Sequence, residues 1–287
     1  MCYKKIKFIL ILSLLYQSPL LSKSNTFEDF DSKNVSKYFS GIVAYENRNN
    51  SLALSYFNSS KILINQHDPY LERFILSLVL EDKVKQAINY LKISSNKTNS
   101  NFFEAHILLI LDNIKKNNLD KALKLISEVP EYLQKDKVNF IILDSLRNYV
   151  FVFKEKKLQK NKQSFGNLSL INETFQRCYL EDKNTDSFFS KLINNQQSDY
   201  SRYVYFYLTY LIDNDELQKA RVLTSDLEYI NTTLLLSQGK SWIENNQLKN
   251  FSKIFSCKNH NDVISEFLFL ISNLYSSQNE FEKSNFY

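Results

Sequence analysis

A short polar turn, followed at once by a helix start with a small residue in its first turn, recurs along this chain at nearly constant spacing. The clearest copy is Asp213-Asn214-Asp215-Glu216-Leu217-Gln218-Lys219-Ala220. Weaker copies end in Ala53, Ala87, Ala122, Phe251 and Ser284. The steps between these final positions are 34, 35, 98, 31 and 33 residues, and 98 is close to three units. A fixed period in this range belongs to a repeat array, in which each unit buries its apolar face on the next.

Composition narrows the unit to helices. Among 287 residues there are only three glycines and three prolines. Sheet-rich folds of this length need many tight turns, which use those two residues. Helices joined by Asn/Asp turns fit better. Hydrophobic residues make up 44% and charged residues 23%, a balance that excludes wholesale disorder. The formal charge of +5 is modest for this length and partly carried by the first seven residues; it is not by itself evidence for a nucleic-acid partner, and none is expected.

The N-terminus reads as an export signal. Lys4, Lys5 and Lys7 precede the apolar run Phe8 to Tyr16, Pro19 breaks it, and Ser22-Lys23-Ser24 supplies small residues where a signal peptidase cuts. The run is short for a membrane span, and no other segment approaches span length. Residues 1–24 are therefore expected to be a cleavable signal, placing the mature chain in the bacterial periplasm; left uncleaved, the segment would anchor it. A cytoplasmic protein with an apolar N-terminus is the competing reading.

From Val35 the apolar pattern is helical. A first helix runs to about Glu46, and a second begins near Ser51 with Ala53, Phe57 and Ser60 on one face. Gly41 lies twelve residues before Ala53. This run of small, alanine, aromatic and small positions resembles the tetratricopeptide repeat. Gly239, Phe251 and Phe255 repeat the spacing with Phe251 in place of the alanine, and Ser272 and Ser284 repeat it with serines. The units of Ala87, Ala122 and Ala220 keep the alanine but carry Ile75, Ile110 and Leu208 at the earlier small position. Pro69 and Pro130 stand only near the family's proline position.

The resemblance implies an all-α fold: antiparallel helix pairs stacked as a right-handed superhelical solenoid. The family places glycine between the two helices of a pair, where φ is positive. Here those positions hold Arg48, Asp82, Asn117, Asp215, Asn246 and Asn279. Asn and Asp are the non-glycine residues that best tolerate the left-handed region. Repeats are expected over residues 25–136 and 201–287. Between them, 137–200 is irregular: a long helix from Lys137 to Lys154, the charged run 154–162, a break at Gly166, and shorter helices over Leu168–Cys178 and Thr185–Ile193, with one repeat stretched by an insertion; a boundary between two repeat subarrays is the competing reading. The last unit stops three residues after Ser284, so a longer parent protein is expected. Cys178 and Cys257 lie more than two units apart, and because such arrays touch mainly their neighbours, two separately buried thiols are expected.

No catalytic, cofactor or metal constellation stands out. His67, His106 and His260 are scattered without ligand spacing, and phosphate-loop and nucleophile-elbow motifs are missing from the sequence. The resemblance instead implies a concave groove lined by the fifth residue of each first helix: Tyr38, Glu72, Ile107, Tyr205, Leu236 and Phe269. Such a groove would hold a protein or peptide partner, making the chain a non-enzymatic interaction scaffold of the envelope. The alternative is the superhelical part of a longer cell-wall enzyme or envelope-assembly factor. The aromatic stripe Tyr200, Tyr203, Tyr207 and Tyr210 is expected in the core between repeats, with Tyr205 off it. The lysine run 154–162 is expected to be a solvated face.

Overall fold

The computed structural model describes residues 31–65, 67–94, 100–160, 163–194, 201–225 and 233–287. The expected export signal, residues 1–24, therefore lies outside the described residues. Those described form fifteen α-helices and no strand. The chain divides into two compact units, one ending at Gln66 and one from His67 to Tyr287.

The first unit is a helix pair, α1 (Ser32–Glu46) and α2 (Asn50–Ser59), followed by the 3-10 turn Lys61–Asn65. Asp31 and Asn49 start the two helices, each side chain accepting from a first-turn amide. Gly41 marks the crossing: a Cβ there would sit 2.7 Å from the Phe57 ring, so glycine is what lets the two helices approach.

The second unit begins with two pairs, α3 (Asp68–Leu80) with α4 (Val84–Ser94), and α5 (Phe103–Lys115) with α6 (Leu119–Ser127). The long α7 (Lys137–Glu155) follows and stands without a second helix. After it come α8 (Asn167–Tyr179) with α9 (Thr185–Ile193), and α10 (Ser201–Asp213) with α11 (Leu217–Ser225). The last pairs are α12 (Leu234–Glu244) with the short α13 (Phe251–Ile254), and α14 (His260–Ser277) with α15 (Phe281–Phe286).

One kind of turn joins all seven pairs. Arg48, Asp82, Asn117, Glu181, Asp215, Asn246 and Asn279 take φ between 52° and 62°. In each turn the N–H of the following residue donates to the carbonyl five residues earlier: Asn49 to Ala44, Lys83 to Leu78, Asn118 to Asn113, Asp182 to Arg177, Glu216 to Leu211, Gln247 to Trp242 and Glu280 to Tyr275. That is the left-handed helix C-cap, repeated with its own hydrogen bond. All six expected turn positions are left-handed; Glu181 adds a seventh. The alanine position that follows is fully buried at Ala53, Ala87, Ala122 and Ala220. Phe251 is fully buried as well, because Gly239 opposite it leaves room for the ring. Ser272 and Ser284 meet through their hydroxyls at 3.1 Å.

The irregular region breaks the pairing of helices. Lys156 ends α7 in a left-handed conformation (φ 52°), and its N–H bonds only Val152, the ordinary helical partner. No helix intervenes among the described residues before Gly166.

Contacts within the second unit also run beyond neighbouring pairs. α14 packs against α7 and α8, and α15 packs against α3. The rings of Tyr149 and Phe267 lie 5.7 Å apart, as do those of Phe153 and His260. His260 Nε2 lies 3.1 Å from the Ile114 carbonyl oxygen, and Arg73 pairs with Glu282 at 3.4 Å. Cys178, in α8, is joined to Cys257, before α14, in a disulfide with the two Cα atoms 5.8 Å apart. This corrects the expectation of two separate thiols. Distance along the array does not set distance in space here, because α14 folds back onto α8. Among the described residues, one large apolar cluster takes in residues from Phe103 to Tyr275. No helix among the described residues is long and apolar enough to cross a membrane.

Candidate binding surfaces

The six groove positions do not form one open face. Ile107, Tyr205 and Leu236 are buried within the main apolar cluster. Tyr205 stacks on Phe251 with ring centroids 5.4 Å apart, and burial raises its phenol to about 12. Tyr38, in the first unit, is 5% exposed and packs near Phe57. Only Glu72 and Phe269 keep appreciable solvent contact, Phe269 at 40%. Tyr203 and Tyr207 are buried as expected of a core stripe, Tyr210 is half-buried, and Tyr200 lies outside the described residues.

Phe269 belongs to a built feature. The Arg202 guanidinium lies over its ring at 4.2 Å and over Phe206 at 5.1 Å. Arg202 Nε and Nη2 both donate to the Glu266 carboxylate, at 3.0 and 2.7 Å. Glu266 is 3% exposed, and burial raises its carboxyl although Arg202 pulls the other way. An adjoining cleft of about 370 Å³ is bordered by Leu235, Ile254 and Phe255. Glu72 sits in a different setting. Burial raises the Glu104 carboxyl, the charges of Glu72 and Glu282 add to the rise, and Lys283 opposes it.

Lys154, Lys156, Lys157 and Lys160 of the lysine run are exposed, as expected, and Lys154 and Lys156 also make contacts. Lys154 pairs with Asp120 at 2.6 Å, and the Lys156 ammonium lies 4.4 Å from the centre of the Tyr179 ring. The end of the run, residues 161–162, lies outside the described residues.

Sequence reasoning passed over a polar cleft between α7 and α8. Ser145, Asn148, Asn172 and Gln176 line it, each less than a tenth exposed, with Gln163 to Phe165 forming an outer wall. Its volume is about 160 Å³. Tyr149 donates to Asn172 Oδ1 at 2.9 Å, and Asn172 Nδ2 donates to Ser145 Oγ at 3.2 Å. A signal was present: these polar residues fall at helical spacing on faces otherwise made of Ile142, Leu146, Ile171 and Phe175. Among the described residues, no three His, Cys, Asp or Glu side chains are grouped to hold a metal ion.

Compared with models of protein families, with curated proteins and with solved structures, the chain matches none.

Proposed function

We propose that this chain is a non-enzymatic protein–protein interaction scaffold, exported to the bacterial cell envelope and built from divergent tetratricopeptide-like repeats. The observation that carries this reading is the single left-handed turn used seven times between paired helices, with small residues at the crossings. Arrays of one supersecondary unit present long surfaces assembled from successive repeats, and binding is their common use. On this reading the pairs stack as a right-handed superhelix, curled tightly enough for α14 and α15 to meet α7 and α3. The Cys178–Cys257 disulfide supports export, since such bonds persist in oxidising compartments.

The exposed end of the groove row, at Phe269 beside Arg202, is the contact surface we assign to the partner. The test is a photoreactive amino acid at position 269 in the full-length exported protein, with position 205 as the buried control. A discrete crosslinked protein from 269, with none from 205, is expected. Absence of any crosslink from 269 in the oxidised envelope fraction would refute the reading.

A further inference from the structure

We propose that the cleft between α7 and α8 binds a neutral carboxamide, the side chain of a glutamine or asparagine carried by a partner polypeptide. The scaffold reading supplies the source of that group; the chemistry of the site stands on its own geometry.

The cleft lies between the polar faces of α7 and α8, with Gln163 to Phe165 closing its outer side. Burying polar side chains is costly, and natural cores gather them only where their hydrogen bonds can be met. Yet Ser145, Asn148, Asn172 and Gln176 are 2%, 7%, 7% and 2% exposed and line one small space. The Tyr149 hydroxyl fixes the Asn172 carboxamide by its oxygen, and Ser145 holds one of its N–H groups. Asn172 keeps one further N–H to give. Asn148 spends one N–H on Asp144 at 3.0 Å and retains a carbonyl oxygen that can accept. A rigid donor and acceptor facing one cleft suit a group carrying both, and a carboxamide is such a group.

Charge selects in the same direction. Glu173 borders the cleft, but Arg177 holds its carboxylate with Nε at 2.9 Å and Nη2 at 2.6 Å. Asp144 is matched by Arg147 at 3.6 Å. With both carboxylates answered from within the chain, an ionic ligand would lose hydration and gain no counter-charge. The volume of about 160 Å³ is below the roughly 300 Å³ at which pockets for whole small molecules begin, so the site takes one functional group on a stem. A sugar ring would call for an aromatic platform. Phe165, the cleft's only aromatic lining residue, is already engaged edge-on with Phe140 at 6.3 Å.

The experiment uses the oxidised full-length protein and three probes: glutamine blocked at both ends, the equivalent blocked glutamate, and N-acetylglucosamine. Side-chain amide NMR signals of Asn148 and Asn172 are followed during titration. Blocked glutamine is expected to shift both saturably and glutamate to leave them unmoved, with about ten-fold weaker glutamine binding in Asn148→Ala, the loss of one buried hydrogen bond. Should Asn148→Ala fail to fold, Ser164→Trp obstructs the cleft from its exposed wall and is expected to abolish the shifts. Blocked glutamine without effect, glutamate binding equally well, or tighter binding of the sugar would each overturn the assignment. A probe that binds while position 269 captures no partner faults the scaffold reading alone; the reverse pattern faults the cleft alone.

Discussion

Asp215 shows how much one residue does in this chain. At φ 60° it turns α10 into α11, and its successor Glu216 closes the cap on Leu211. Asp215→Gly should be nearly neutral, whereas Asp215→Val should cost about 1–2 kcal/mol, because a β-branched side chain is strained in the left-handed region. Chemical denaturation of the two variants checks this, and equal midpoints would remove the turn from the account. At Gly41 the constraint is space. An added methyl would press on the Phe57 ring, which is itself fully buried and has nowhere to move. Gly41→Ala is expected to lower stability by about 1–3 kcal/mol through overpacking. Both positions were legible in the sequence, since turn chemistry and small-residue spacing are local. Arg48 was the poorest expected match and still adopts φ 59°; the repeat dictates the conformation there and the residue tolerates it.

At the scale of elements, helix limits followed from local pattern, and the ties between distant helices did not. The expected helix over Thr185–Ile193 has those same limits in the structure, and the long helix from Lys137 ends one residue beyond the expected Lys154. By contrast, Arg202 and Glu266 are 64 residues apart and meet only because α10 and α14 are brought together. Arg202→Ala would leave a buried carboxylate unpaired, at a cost of about 2–3 kcal/mol, toward the low side because the guanidinium is partly solvated. The sign of its pH dependence follows from the raised Glu266 carboxyl. The folded chain keeps that proton to higher pH than the unfolded chain, so stability falls as pH rises above the ordinary glutamate value. Removing Arg202 pushes the folded value further up and carries that fall into higher pH. Urea midpoints should therefore show a small cost near pH 5 and a larger one near pH 8, estimates that follow from where a raised carboxyl titrates; an equal cost at both would contradict the pairing.

The disulfide is the clearest case of what sequence could not reveal. Two cysteines 79 residues apart carry no local mark of partnership, and distance along the array pointed the wrong way. Closing a loop of that length constrains the unfolded chain by about 4 kcal/mol on the chain-entropy view. Cys178→Ser with Cys257→Ser should lose stability on that scale, and thiol labelling of the native wild type should find neither cysteine before reduction. Free thiols at these two positions in the purified protein would sink both the bond and its support for the proposed export.

For the second unit as a whole, return contacts change what the repeats can do. Three of the six groove positions are filled by the unit's own packing, which leaves Phe269 and the α7–α8 cleft as the surfaces that carry the functional proposals. The groove positions followed a per-unit rule, but their burial depends on contacts between separate helix pairs, such as Tyr205 on Phe251, which no single unit encodes. The central claim is that α14 and α15 bind this unit into one cooperative body. Hydrogen exchange on the oxidised full-length protein tests it most directly. The amides of α14 from Val263 to Tyr275 are expected to exchange slowly and together with those of α7 from Ile142 to Phe153, in one global opening. Progressive fraying, with α14 and α15 opening well before α7 as in an array of nearest-neighbour contacts, would contradict it.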